Sequence, residues 1–282
     1  MTQSKTDAKL DERIAVLESA PLRWWAGEAE VVRVYFSNPR TREDDLHWLK
    51  LQAARELGTV ERLIEALPAD LTRIETVVGR DSFEASTRSV YEEARHYRLL
   101  ADIMEQITGE RPDPKELLAL SGCQSERRGH PDLPAMTAEI QVTHRLLETH
   151  GELAEVALGF SEGAGAAIFY IGNKLLELPY TSYSNGAVEK AIAEAMGVIF
   201  HDEMRHGPVH IPQIAQAIRN DEDLETARHI ITEKAVAHLR LRNETFGNPL
   251  TEARMAEIDA GIGVEPLPVD YRNITPVSPY SA

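Results

Sequence analysis

Apolar residues recur through most of the chain at alternating steps of three and four, the spacing of one face of an α-helix. Between Arg42 and Leu67 the inward stripe reads Leu46, Leu49, Ala53, Glu56, Val60, Leu63, Leu67, and Pro68 predicts the end of that helix. A second helix is predicted over Ser82–Thr108, closed by Gly109, with the stripe Phe83, Ser86, Val90, Glu93, Tyr97, Leu100, Met104, Ile107. A third is predicted over Ala135–Leu178, with bends expected at Gly151, Gly159 or the Gly163–Gly165 pair. The fourth spans Ala187–Asn220 and carries Ile192, Met196, Ile199, Glu203, His206, His210, Ile214 and Ala217. Pro208 and Pro212 each remove an intrahelical hydrogen bond, so a kink or π-bulge is expected there.

The remaining segments frame these four. Residues 110–135 hold Pro112, Pro114, Pro131 and Pro134 and predict a long crossover with at most a short helix at Lys115–Leu120. Residues 1–40 predict one or two helices on the outside of the bundle, with Trp24-Trp25 as aromatic core filler or, alternatively, the lining of a pocket entrance. Residues 222–260 predict two more, the first marked by Leu224, Ala227, Ile231, Ala235 and Leu239, with a break at Pro249. Gly261–Ala282, with Pro266, Pro268, Pro276 and Pro279, reads as an extended tail. The expectation is an all-α, single-domain chain over residues 1–282. Its four-helix core occupies about 42–220, and extra helices lie at both ends.

Three of these stripes contain a glutamate where a leucine belongs, and a buried carboxylate is costly unless a cation or hydrogen bonds meet it. Two of them sit in related phrases, Tyr91-Glu92-Glu93-Ala94-Arg95-His96 and His201-Asp202-Glu203-Met204-Arg205-His206. Glu93 with His96, and Glu203 with His206, are three residues apart, which places each pair on one helical face. Glu56 lies 11 residues before Leu67 and Glu93 lies 11 after Ser82, so an antiparallel pair brings both to one height. The third helix offers Glu148, Glu152, Glu155 and Glu162. Glu203 is 17 residues past the turn at Gly186 and Glu162 is 16 before Leu178, whereas Glu155, 23 before it, would sit about 9 Å too far along the axis. Height therefore selects Glu162.

Six candidate ligands follow: Glu56, Glu93, His96, Glu162, Glu203 and His206. Glu-x-x-His on two helices, with one glutamate on each of two others, is the pattern of a dinuclear carboxylate site in a four-helix bundle. Four carboxylates balance two divalent cations, and the donor set suits iron or manganese better than structural zinc. His210, one turn beyond His206, is an extra ligand, a group supporting the ligands, or an ordinary core histidine. The small residues Gly163–Ala167 leave room for a substrate or dioxygen, or else serve close helix packing.

Composition narrows the partners. With 30 Lys and Arg against 46 Asp and Glu, the formal charge is −16, which argues against a nucleic-acid binder. Cys123 is the single cysteine, so neither a disulfide framework nor a thiolate metal site is expected. No apolar run of membrane-spanning length and no apolar signal core at Met1–Asp11 is present, so a cytoplasmic location is expected.

The Glu, Glu-Glu-x-Arg-His, Glu, Asp-Glu-x-Arg-His order resembles the ferritin-like di-iron carboxylate superfamily over roughly residues 42–220. The two phrases are similar to those of soluble acyl-carrier-protein desaturases, and arylamine N-oxygenases share the broader plan. That resemblance implies Glu93 and Glu203 bridging two iron ions (or manganese), Glu56 and Glu162 binding terminally, and His96 and His206 each binding one ion. It implies Asp202 and Glu92 as hydrogen-bond acceptors that orient the ligating imidazoles. The activity implied is an oxygenase or oxidase that uses dioxygen to oxidise a small organic substrate, with electrons from that substrate or an external donor, and a homodimer is the expected assembly. The alternative is an iron-handling or peroxide-scavenging protein of ferritin or rubrerythrin character. Two departures stand against the nearest matches: the chain is short for a desaturase, and its acidity disfavours an acidic carrier-protein partner.

Overall fold

The computed structural model describes residues 2–76, 79–121, 130–161, 164–174, 179–209 and 211–267, without the side chains of 2–9, 70, 164–167, 205–209 and 212. Every regular element among the described residues is helical. The two N-terminal helices are α1 (Thr2–Ser19) and α2 (Leu22–Ser37), followed by the long pair α3 (Arg42–Leu71) and α4 (Arg80–Thr108). The crossover holds the short α5 (Pro114–Ser121). The predicted third helix is three segments, α6 (Pro134–His150), α7 (Glu152–Phe160) and α8 (Ala164–Lys174). The fourth is α9 (Ala187–Val209) and α10 (Ile211–Ala217), and the chain continues through α11 (Asp221–Thr245) and α12 (Glu252–Asp259). None of these helices is long and apolar enough to cross a membrane.

Two boundaries differ from expectation for local reasons. Pro68 lies inside α3 rather than beyond it. A proline there forfeits one backbone hydrogen bond in a final turn, and the helix runs only three residues further. Gly151 breaks the third helix outright: its φ of 53° and ψ of −128° lie in a region that side-chain-bearing residues avoid. By contrast α4 ends on Gly109 at φ 80°, with the glycine N–H bonded to the Glu105 carbonyl, as the sequence predicts. Asn220 and Asp223 form a reciprocal capping box that starts α11.

Helix α3 packs along α4, α4 along α9, and α9 along α8, while α2 and α11 cover the remaining side. The main core runs through these elements, with Trp24, Val31, Phe36, Trp48, Leu49, Leu100, Ile168, Ile192, Met196, Ile199 and Leu239 buried together. Trp24 and Trp25 are both buried, Trp24 donating its indole N–H to Asp259. Helices α8 and α9 pack through a glycine: a Cβ added at Gly172 would lie 1.7 Å from the Met196 sulfur. A second apolar cluster gathers Leu17, Leu146, Ala154, Phe160, Ile214, Ala227 and Ile231 from α1, α6, α7, α10 and α11. The helix shared by both clusters is α11.

A buried hub ties α2, α3 and the turn before α9. Asp45 is fully buried and accepts hydrogen bonds from Tyr35 Oη at 2.9 Å, Arg40 Nε at 3.0 Å, Trp48 Nε1 at 3.2 Å, and the Tyr183 hydroxyl. Burial, then the charge of Asp45, pushes the Tyr35 phenol far above its ordinary range.

Candidate metal centre

Where α3, α4 and α9 meet, the polar members of their stripes face one another. Glu56 projects from α3, Glu93 and His96 from α4, and Glu203 from α9. Glu56, Glu93 and His96 are all buried, and each offers a ligand atom within 4.8 Å of the other two. His96 is the centre of the group and has no solvent exposure. Its Nδ1 lies 3.5 Å from a Glu56 oxygen, 3.7 Å from Glu93 and 3.9 Å from Glu203. Its other nitrogen, Nε2, lies 3.1 Å from Asp202 Oδ2.

Those distances separate the roles of the two ring nitrogens. Nε2 is at hydrogen-bond length from a carboxylate that can only accept, so Nε2 carries the proton. Nδ1 is buried and has no hydrogen-bond partner, although three carboxylates converge on it. A buried nitrogen facing three carboxylate oxygens at ion-pair rather than hydrogen-bond distance is what a cation between them would explain. The group can therefore hold a metal ion. The donor set is one imidazole with carboxylates and no sulfur.

The electrostatics agree with a site made for positive charge. Burial alone would raise Glu56, but His96 first, then Glu93 and Gln52, outweigh it and take the carboxyl down to about 2. Glu93 moves the other way: burial, then the neighbouring Glu56 charge, raises it well above the ordinary carboxylate range. For His96, burial favours the neutral ring, yet the Asp202 hydrogen bond followed by Glu56 and Glu93 pushes it up to about 12. Protons on His96 and Glu93 thus balance the buried carboxylates, and a dication would compete with both.

The two related phrases are interleaved. Asp202, from the second, accepts from His96 of the first, and Arg95 of the first lies 3.5 Å from the same Asp202 oxygen. Glu92 is buried beside Glu93. Compared against protein-family profiles, curated proteins and solved structures, the chain gives no match. Chemistry must therefore be argued from the site itself.

Among the other predicted ligands, Glu162 and His210 lie outside the described residues, as does the side chain of His206. The competing third-helix glutamates Glu148, Glu152 and Glu155 are exposed, which removes them as partners of a buried cluster. Residues 163–167, the proposed small-residue opening, likewise lack described side chains. Sequence reasoning missed Gln52, Glu28, His238 and Arg242, all buried and linked to Glu56 from behind. A signal existed for Arg242: it continues the α11 stripe three residues after Leu239, where an apolar residue belongs.

Proposed function

We propose that the protein is a dioxygen-dependent di-iron oxidoreductase of ferritin-like architecture, acting on a small organic substrate. The observation that carries this reading is the buried, hydrogen-bond-orphaned Nδ1 of His96, faced by Glu56, Glu93 and Glu203 from three helices. Asp202 locks the imidazole in the tautomer that leaves Nδ1 free to ligate. Glu162 and His206 would complete a second position through the repeated Glu-x-x-His phrase, giving two metals within one carboxylate-rich cage. When bound, a ferrous pair supplies the electrons that dioxygen needs for activation.

The chain's own groups perform the supporting steps. Glu56, Glu93 and Glu203, with Glu162, would bring the four negative charges that balance two dications. With a metal at Nδ1, Asp202 would hold the remaining ring proton on Nε2. Leu100, one turn from His96, and Ile199, one turn from Glu203, belong to the buried apolar core and would limit water at the centre. Further electrons come from the substrate or an external donor.

Anaerobic loading with ferrous iron, followed by elemental analysis, tests the centre: about two ions per chain are expected. Glu162→Ala should lower that ratio while Glu155→Ala should not, and the reverse would place the third helix out of register. Adding about fifty equivalents of ferrous iron under air separates oxygenase from storage protein. One round of oxidation, with the excess iron left outside, supports the oxygenase; sustained turnover with a mineral core inside the protein overturns it in favour of iron storage. Manganese as the resident metal would appear in the elemental analysis of protein purified without added iron.

A further inference from the structure

Behind Glu56, away from His96, a chain of buried polar side chains runs outward through three helices. Gln52, one turn before Glu56 on α3, donates Nε2–H to Glu56 Oε1 at 2.6 Å. Arg242 of α11 donates Nη1–H to Gln52 Oε1, also at 2.6 Å. Gln52, Glu56 and Arg242 are 5%, 4% and 2% exposed, so water does not compete for these contacts. Beyond Arg242, its Nε lies 3.7 Å from a carboxylate oxygen of Glu28 on α2. The other Glu28 oxygen accepts from His238 Nδ1 at 2.9 Å, and Arg55 donates to His238 Nε2 at 3.2 Å.

The direction of this chain is forced by chemistry. A guanidinium can only donate, so Arg242 fixes the Gln52 carbonyl toward itself and thereby turns the amide NH2 toward Glu56. One oxygen of Glu56 is then occupied, and only the other, 3.5 Å from His96 Nδ1, is presented to the centre. We infer that Gln52, oriented by Arg242, is a positioning residue that restricts Glu56 to offering a single oxygen to the metal. This rests on the metal-binding reading above and adds to it: two helices that carry no ligand, α2 and α11, set the denticity of one that does.

The test uses Co2+ as a probe of the full-length protein, because its visible absorption reports coordination number. Gln52→Leu removes the donor at similar volume and frees the second Glu56 oxygen. Co2+ affinity should fall about 10- to 100-fold, and the spectrum at saturation should shift towards a higher coordination number. Arg242→Met should act in the same direction. The Gln52→Leu/Arg242→Met double variant should be little worse than Gln52→Leu alone, since Arg242 acts through the amide. Arg242→Lys, which keeps a donor, should recover part of the loss. Should Gln52→Leu fail to fold, Gln52→Glu keeps the shape and the acceptor for Arg242 while turning a second carboxylate on Glu56, and the same weakening and spectral change are expected. Unchanged affinity and spectrum in a folded Gln52 variant, or additive losses in the double variant, would overturn the inference while leaving the metal site standing. A wild-type protein that takes up no Co2+ would instead remove the metal reading, and this inference with it.

Discussion

Asp202→Asn probes the centre most directly, because it changes one atom that touches no metal. In the wild type the carboxylate accepts from His96 Nε2 at 3.1 Å and keeps the proton on that side of the ring. An asparagine removes that negative charge, and its NH2 can turn toward Nε2, which disfavours the tautomer with the proton on Nε2 that a metal at Nδ1 requires. A metal at the Nδ1 that faces Glu56, Glu93 and Glu203 must displace a proton in wild type and variant alike, so the difference lies in the metal-bound ring, whose Nε2–H has lost its carboxylate acceptor. Loss of such a supporting contact costs about 10- to 100-fold in metal affinity, equivalent to roughly 1.4–2.7 kcal/mol. Arg95 provides the internal comparison. It lies 3.5 Å from the same Asp202 oxygen, but its side chain is 36% exposed, and exposed pairs contribute about 1 kcal/mol or less. Arg95→Met should therefore weaken binding less than Asp202→Asn. Competition titration with ferrous iron under anaerobic conditions, with far-ultraviolet circular dichroism to verify folding, measures both. Equal affinities for wild type and Asp202→Asn, or a larger loss from Arg95→Met, would refute the assignment of His96 Nδ1 as the ligating atom.

Three further outcomes concern the frame around the site. Asp45→Ala strands the buried Arg40 and should cost about 3–5 kcal/mol, lowering the melting temperature by roughly 5–8 °C in scanning calorimetry; Arg40→Met in the same chain should recover part of that loss. Burial alone would raise Glu139, but Lys234 first, then Arg55 and His238, hold it down at about 2. The sign follows: this contribution is complete above the ordinary carboxylate pKa of about 4.5 and disappears as pH falls towards 2. Urea unfolding should thus show a pH dependence in that window that is smaller in Glu139→Gln. Gly172→Ala directs a methyl at the buried Met196 sulfur and should destabilise by about 1–3 kcal/mol in the same assay, whereas Gly109→Ala meets no neighbouring atom and should lose only through its left-handed backbone.

How much of this was legible beforehand depended on whether the signal was local. Helices announced themselves through the 3–4 spacing, and Gly109 and Pro249 punctuate the chain as expected, at the end of α4 and between α11 and α12; the kink expected at Pro208–Pro212 centres on His210, which lies outside the described residues. Glu56 and Glu93 were conspicuous because each interrupts an apolar stripe, and counting from the connector related their heights. The break at Gly151 was foreseen only as a bend, since periodicity does not distinguish a curved helix from two segments whose apolar faces remain aligned. Gln52 was not visible because it lies beside the α3 stripe, not within it. Arg242 stood in its stripe, but periodicity shows which face is buried and not which distant helix meets it. Spacing likewise gave no warning of the Asp45 hub, whose partners come from Tyr35, Arg40, Trp48 and Tyr183.

The position of α11 has a consequence for how the chain matures on the ribosome. Glu56, Glu93, His96 and Glu203 have all been synthesised when 42 residues, through Thr245, remain to complete that helix. At translation rates of about 5–20 residues per second, this leaves an interval of roughly two to eight seconds. During it the carboxylates exist without the helix that joins the two apolar clusters and supplies Arg242. A cation reaching the site in that interval would meet a Glu56 that Gln52 and Arg242 do not yet hold. Arrival of α11 closes the interval, because only then is Arg242 present to hold Gln52 against Glu56.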